Sequence, residues 1–234
     1  MIDSEPIAAG ADRAAAPADD LAAYRAPAEY IDSDHPAIRA FAADVAAGAR
    51  GETATAVALY RAVREVYYAV ADTTDPEVFR ASSVLAAGQG YCVGKASHLA
   101  AVCRASGIPA RIAFADVTNH LTSPRLRAAM GTDLFAWHGY TELMLDGRWL
   151  KASPTFNSSL CRKLGVATLE FDGTADALLQ AFDAEGRQFM RYVAHHGHFH
   201  DVPAKFLAAE MARRYPGLAA EKQVRLESEI EAPA

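Results

Sequence analysis

The sequence lacks most of the features that would assign it to a specialised class of protein. It has no apolar run approaching the roughly 18 residues of a membrane-spanning helix. Its N-terminus is acidic and rich in alanine, without the basic-then-apolar order of a signal peptide. Basic runs are also missing, and 23 Lys and Arg stand against 29 Asp and Glu, which argues against a nucleic-acid partner. We therefore expect a protein with no membrane or nucleic-acid partner, located in the cytoplasm.

Cysteine is scarce as well. Cys92, Cys103 and Cys161 are odd in number and widely spaced, so they predict neither a disulfide framework nor a zinc site of paired cysteines. Histidines cluster within 195–200, where two of them could share one face of a helix or strand. A metal site needs further ligands from elsewhere, so we expect a solvent-exposed or capping cluster and predict no metal and no cofactor. A metal-dependent hydrolase that uses these histidines stays open as an alternative.

Composition divides the chain into three parts. Residues 1–25 are mostly Ala, Asp, Glu and Pro with few large apolar side chains, so we expect a poorly ordered lead. Residues 26–160 carry the apolar patterns of a core, and residues 161–234 predict a mostly helical C-terminal extension packed on it. A length of 234 residues suits one sizeable core with appendages.

Apolar periodicity predicts the elements of the core. Helical spacing indicates a helix from Pro36 to about Ala47 and a second from about Ala54 to Val70. After Gly107 the period changes to alternation, which indicates strands over Ala110–Val117 and Trp137–Leu145. Helices at the front of a small antiparallel sheet are therefore expected.

The stretch from Gly88 to Gly107 has the pattern of a reactive helix terminus. Gly88 and Gly90 permit a tight turn, and residues then recur at helical spacing from Cys92 to Cys103 until Gly107 supplies a C-cap. Cys92 thus lies in the first turn of a predicted buried helix, where free N–H groups and the helix dipole favour thiolate over thiol. Such a thiolate is a nucleophile that needs a base.

A predicted hairpin supplies a candidate base. Asp146-Gly147 is a strong signal for a two-residue turn, and this turn fixes the pairing of the flanking strands. His138 then lies opposite Thr155, with Ser153 and Asn157 as its diagonal neighbours on the same face. A nucleophilic cysteine, a histidine and a polar group that orients the histidine could therefore meet.

The order of these motifs resembles a known family, the transglutaminase-like superfamily. The resemblance covers roughly residues 30–160 and is closest to a bacterial branch in which a tail such as LEFDGTADALLQAFDAEG follows the core. It implies a papain-like α+β fold, with the cysteine-bearing helix packed on a small antiparallel sheet and extra helices at both ends. The segments that carry the resemblance are GQGYC at 88–92, GIPAR at 107–111 and WHGYTELMLDGRWLKASPTFN at 137–157.

The resemblance also implies roles for individual residues. Cys92 would be the nucleophile, His138 the base, and the family's aspartate falls at the position of Ser153. A serine hydroxyl can orient an imidazole but cannot stabilise the imidazolium by charge. We therefore expect either a weakened triad or another group that orients the histidine. The open alternatives for that group are Asn157, Asp116 and Asp133.

Further candidates surround this constellation. The Cys92 backbone N–H is the natural donor to an oxyanion, and the Gln89 amide is a candidate second donor. The candidates for lining a substrate groove are Trp137, Tyr91, Asn119 and His120.

The function expected from these residues is thiol-dependent acyl transfer. The Cys92 thiolate attacks an amide carbonyl in a peptide or protein, His138 protonates the departing amine, and water or an amine resolves the thioester. Hydrolysis, by a peptidase or a deamidase, is favoured over cross-linking. The alternative is a catalytically weakened or inactive binding or scaffolding module, which Ser153 supports.

Overall fold

The protein is described here by a computed structural model, which covers residues 18–119, 124–179, 183, 185–186, 189–220 and 223–224. The helices are α1 (Ala18–Ala23), α2 (Pro36–Ala46), α3 (Glu52–Arg64), α4 (Ala81–Ala87), α5 (Cys92–Ala105), α6 (Pro124–Met130), α7 (Ser158–Leu164), α8 (Ala204–Arg214) and α9 (Pro216–Ala220). The strands are β1 (Tyr67–Tyr68), β2 (Val70–Ala71), β3 (Gln89–Gly90), β4 (Ala110–Asn119), β5 (Leu134–Leu145), β6 (Arg148–Ala152), β7 (Met190–Phe199) and β8 (Gln223–Val224). A 3₁₀ turn spans Pro76–Phe79.

Helix α5 lies at the centre of the core. Every residue from Cys92 to Arg104 is buried, because α5 packs against β4 and β5 and also against α2, α3 and α4. The predicted C-cap is confirmed: Gly107 has a φ of 82°, and the Ile108 N–H donates to the Cys103 carbonyl at 2.9 Å. The α+β fold with a cysteine-bearing helix on a small antiparallel sheet is confirmed.

The main sheet has four antiparallel strands in the order β6-β5-β4-β7. Asp146 and Gly147 have φ values of 48° and 73°, so both residues of the turn are left-handed, as a type I′ hairpin requires. The predicted register is confirmed from the pair Leu145–Arg148 to the pair Thr141–Ala152. The chain therefore leaves β6 at Ser153, beside the strand that carries His138.

Close backbone contact holds β5 against the first turn of α5. A Cβ atom added at Gly139 would lie 2.9 Å from the Val93 Cα, so glycine is required for this approach. Two residues further along β5, the Thr141 hydroxyl donates to the Ala96 carbonyl at 2.8 Å. These contacts bring His138, the neighbour of Gly139, to the N-terminal end of α5.

The second predicted helix is too long. Helix α3 ends at Arg64, and Tyr67–Tyr68 instead pairs in parallel with Gln89–Gly90. The Tyr67 N–H donates to the Gly88 carbonyl at 3.3 Å, and the Ala69 N–H donates to the Gly90 carbonyl at 3.2 Å. The apolar residues that predict helix to Val70 are buried from Tyr68 onward, whereas Tyr67 is exposed. The strand pairing fixes the chain just before Cys92.

The two ends of the chain also differ from the predictions. Part of the expected lead is structured, since α1 is helical and the Tyr24 carbonyl accepts the Ala110 N–H at 2.9 Å; residues 1–17 lie outside the described part of the chain. The extension contributes strand β7 in addition to its helices, so it is not mostly helical in the described residues. Pairing with β7 satisfies the backbone groups along the outer edge of β4.

Candidate active site

Cys92 is the first residue of α5 and is only 8% exposed. Burial raises the pKa of its thiol to about 11, although hydrogen bonds from the backbone N–H groups of Gly139, Val93 and Cys92 itself act in the opposite direction. Burial therefore acts against the thiolate that the helix N-terminus is expected to favour. The helix N-terminus is present as predicted, but desolvation of the charged form outweighs it.

His138 lies on β5 and is 4% exposed. Burial lowers the pKa of its imidazole to about 4, so the ring is neutral at neutral pH. His138 and Cys92 line the same cavity, which has a volume of about 40 Å³. Within the described residues no hydrogen bond joins the Cys92 thiol to the ring. The site thus holds a neutral thiol and a neutral imidazole in one cavity.

A cluster of hydroxyl groups lies behind the imidazole. The Ser153 Oγ is 3.5 Å from the His138 Nε2 and 2.9 Å from the Thr155 Oγ1. The Tyr192 hydroxyl is also hydrogen bonded to Ser153. Ser153 therefore lies beside the His138 ring, at the position that the register predicts. Tyr192 was not a sequence candidate, because it lies on β7, a strand that the apolar pattern does not distinguish from helix.

The residues considered in place of Ser153 as the group that orients His138 make other contacts. The Asn157 Oδ1 accepts the Tyr68 N–H at 3.2 Å, and its Nδ2 donates to the Ser159 Oγ at 2.6 Å. Asn157 thereby anchors β1. The backbone carbonyl of Asp133 accepts the Asn119 N–H at 3.0 Å.

The third substitute, Asp116, belongs to a separate polar cluster. Its Oδ1 accepts the Trp137 N–H at 3.0 Å and lies 2.7 Å from the His196 Nε2. Trp137 has a left-handed backbone with a φ of 58°, and the His196 ring stacks on its indole at 4.1 Å. Asp116 and His196 therefore hold the residue that precedes His138 in an unusual conformation.

The groove candidates fall in different places. Tyr91 and Trp137 line the cavity that contains Cys92 and His138. Gln89 lines a second cavity of about 180 Å³, which Tyr91 also lines. Asn119 ends β4, and His120 lies outside the described residues.

The histidine cluster is spread along β7 and beyond it. Beside His196, the His195 ring stacks on Tyr192 at 6.1 Å, and the His200 Nε2 lies 2.9 Å from the Ala23 carbonyl oxygen. In the part of the chain that the structure describes, no three His, Cys, Asp or Glu side chains are grouped so that they could hold a metal ion.

The fold and this site together define a papain-like protein with a cysteine and a histidine in one cavity. Residues 39–154 match the sequence model of the transglutaminase-like superfamily. The resemblance drawn from the motifs is therefore confirmed, and the chain carries a transglutaminase-like core. At the level of the superfamily, this match supports a cysteine-dependent hydrolase or acyltransferase. No curated protein matched the chain.

Solved structures with a similar fold include a protein from Cytophaga hutchinsonii that is provisionally assigned as a cysteine protease. It is 16% identical with a TM-score of 0.49, and the match covers 88% of this chain and 50% of that one. The periplasmic domain of TgpA from Pseudomonas aeruginosa is 23% identical with a TM-score of 0.42, over 60% and 48% of the two chains. A provisionally assigned protease from Parabacteroides distasonis is 15% identical with a TM-score of 0.38, over 57% and 26%. The chain thus spans half or less of the length of each of these structures.

The prediction of a cytoplasmic location is contradicted by these comparisons, because one of the neighbours is a periplasmic domain. We therefore withdraw it. None of the described helices is both long and apolar enough to cross a membrane.

Two buried histidines make stability depend on pH. Burial lowers the pKa of His98 to about 3 and that of His138 to about 4, from an ordinary value of 6.5. Below pH 6.5 these histidines bind protons in the unfolded chain but not in the folded protein. The free energy of unfolding is therefore highest above that pH and falls as the pH drops towards 4. Over this range each histidine lowers the free energy of unfolding by about 1.4 kcal/mol for every pH unit of acidification.

In His98→Leu the free energy of unfolding is therefore expected to fall less steeply across this pH range, because the contribution of one of the two histidines is removed. Both ring nitrogens of His98 lack hydrogen-bond partners among the described residues, so the change breaks no hydrogen bond. Urea unfolding at a series of pH values measures the slope. The control is His198→Leu at an exposed position. An equal slope in wild type and His98→Leu would contradict the prediction.

Proposed function

We propose that this protein is a cysteine-dependent acyl-transfer enzyme that hydrolyses an amide bond in a peptide or protein. Cys92 is the nucleophile, and His138 acts first as base and then as acid. The observation that carries the proposal is the shared cavity, into which the first turn of α5 and strand β5 bring a thiol and an imidazole whose Nε2 lies 3.5 Å from a hydroxyl oxygen.

The neutral resting pair determines the order of events. His138 accepts the thiol proton as the Cys92 sulfur adds to the amide carbonyl, so charge forms only when substrate is bound. The C–N bond then breaks, and His138 gives the proton to the departing amine. Water, deprotonated by His138, hydrolyses the thioester and restores the thiol.

The lining of the cavity supports an apolar group on the acyl side of the substrate. Few polar side chains other than the reacting residues face it, and Trp137 forms one wall. An apolar wall contributes binding through burial rather than through specific hydrogen bonds. The aliphatic and aromatic residues of this lining include Leu126, Met130, Phe135, Met211 and Leu218.

Peptide turnover tests the proposal. Wild type, Cys92→Ala and His138→Ala are incubated with a mixed peptide library in the presence and absence of a primary amine, and the products are identified by mass spectrometry. New peptide termini indicate a peptidase, and conversion of Gln to Glu indicates a deamidase. Products that form with wild type and disappear in both variants support the proposal. Products that persist in Cys92→Ala contradict it.

The second candidate function is a non-catalytic peptide-binding module. Ser153 favours it, because a neutral hydroxyl occupies the position of the family's charged group. In the same experiment, this function predicts no product in any of the three proteins.

The effect of Ser153 on reactivity is testable by restoring the charge. A carboxylate in Ser153→Asp would stabilise the imidazolium and is expected to accelerate alkylation of Cys92 by iodoacetamide about tenfold or more near neutral pH. Ser153→Asn has a similar size without charge and serves as the control, with a rate close to that of wild type. Peptide mass spectrometry locates the alkylated residue. Equal rates for the Asp and Asn variants would contradict an orienting role at position 153.

A further inference from the structure

The Tyr91 hydroxyl is a buried polar group without a hydrogen-bond partner in the described part of the chain. Tyr91 is 7% exposed and forms the N-cap of α5, directly before Cys92. Buried hydroxyls are nearly always hydrogen bonded, so an unpartnered one requires an explanation. A ligand that binds at this position would supply the missing acceptor.

Tyr91 lies at the right place for such a role. It lines the cavity that contains Cys92 and His138, and it also lines the larger cavity beside Gln89 and Gly90. Its ring packs against Phe79 at 5.7 Å, which restricts its movement. Tyr91 therefore lies between the candidate catalytic residues and the second cavity.

Two other tyrosines around the site already have partners. The Tyr215 hydroxyl donates to the Leu134 carbonyl at 2.8 Å and accepts the Ala136 N–H at 2.7 Å. The Tyr192 hydroxyl accepts the Leu179 N–H at 3.4 Å and is hydrogen bonded to Ser153. These two tyrosines stabilise the walls of the site, whereas Tyr91 keeps its donor available.

We propose that Tyr91 is a catalytic residue whose hydroxyl donates a hydrogen bond to the oxyanion formed when Cys92 adds to a carbonyl group. The Cys92 backbone N–H is the second donor. This inference rests on the proposed function and replaces Gln89 as the side-chain donor, because Gln89 lines only the larger of the two cavities.

The chemistry is consistent with a tyrosine in this role. As the S–C bond forms, the π electrons of the carbonyl move to its oxygen, while the thiol proton passes to His138. The oxygen accepts the hydrogen bond from Tyr91, and the bond is released when the carbonyl re-forms and the amine leaves. Burial, and next the proximity of Cys92, raise the pKa of Tyr91, so its hydroxyl donates without losing its proton.

Two reagents separate this role from simple reactivity of the thiol. The Cys92 sulfur displaces iodide from the saturated carbon of iodoacetamide, so no oxyanion forms in this reaction. An N-acetylated peptide aldehyde with an apolar side chain adds to Cys92 as a hemithioacetal, whose oxygen lies where the oxyanion would form. Protection of Cys92 from iodoacetamide measures the affinity of the aldehyde.

Tyr91→Phe is expected to weaken aldehyde binding about tenfold or more and to change the alkylation rate less than about twofold. Tyr67→Phe removes an exposed hydroxyl outside the cavity lining and serves as the control, with both values unchanged, whereas Tyr68→Phe tests the other tyrosine of the cavity for the same role. The Tyr91→Phe change breaks no hydrogen bond among the described residues, so its melting temperature should not fall.

The outcomes separate this inference from the proposed function. If wild type binds the aldehyde and Tyr91→Phe binds it equally well, the role of Tyr91 is overturned and the function of Cys92 stands. If Tyr68→Phe alone weakens binding, the donor is Tyr68 and the inference is overturned. If the Cys92 of wild type forms no aldehyde adduct, both the inference and the proposed function fail.

Discussion

The approach of strand β5 to the first turn of helix α5 is the contact on which the site depends. It is possible only because residue 139 is glycine, since a Cβ there would lie 2.9 Å from the Val93 Cα. The contact places a Gly139 N–H on the Cys92 thiol and His138 in the same cavity. The rest of the fold holds this contact in place, with α2, α3 and α4 packed on α5 and with β4 between β5 and the added strand β7.

Burial also determines the chemistry of the pair. It raises the pKa of Cys92 to about 11 and lowers that of His138 to about 4, so the resting site is uncharged. A charged pair would need a group that stabilises the imidazolium, and Ser153 supplies only a hydroxyl. The site therefore fits a mechanism in which the thiol proton of Cys92 passes to His138 during attack. In such a mechanism hydrogen-bond donors at the oxyanion contribute more to stabilising the transition state than a preformed thiolate does.

The sequence predicts the parts of this site that depend on residues close together in the chain. The Asp146-Gly147 turn determines a strand register that places Ser153 near His138, and the apolar spacing from Cys92 to Gly107 predicts α5. Long-range pairing was not predictable, because β7 meets β4 across about seventy residues of chain and brings Tyr192 with it. The pKa of Cys92 is likewise not predictable from the helix terminus alone, because the burial that raises it comes from elements distant in sequence.

The most direct test of the account is whether His138 activates Cys92. The rate of Cys92 alkylation by iodoacetamide near neutral pH is measured in wild type, in His138→Ala and in the control His198→Ala, whose histidine is exposed and lies outside the cavity lining. Base assistance predicts a rate about a hundredfold lower in His138→Ala, and a rate close to wild type in His198→Ala. Equal rates in wild type and His138→Ala would contradict a catalytic pair and leave a protein that shares only the fold of these enzymes.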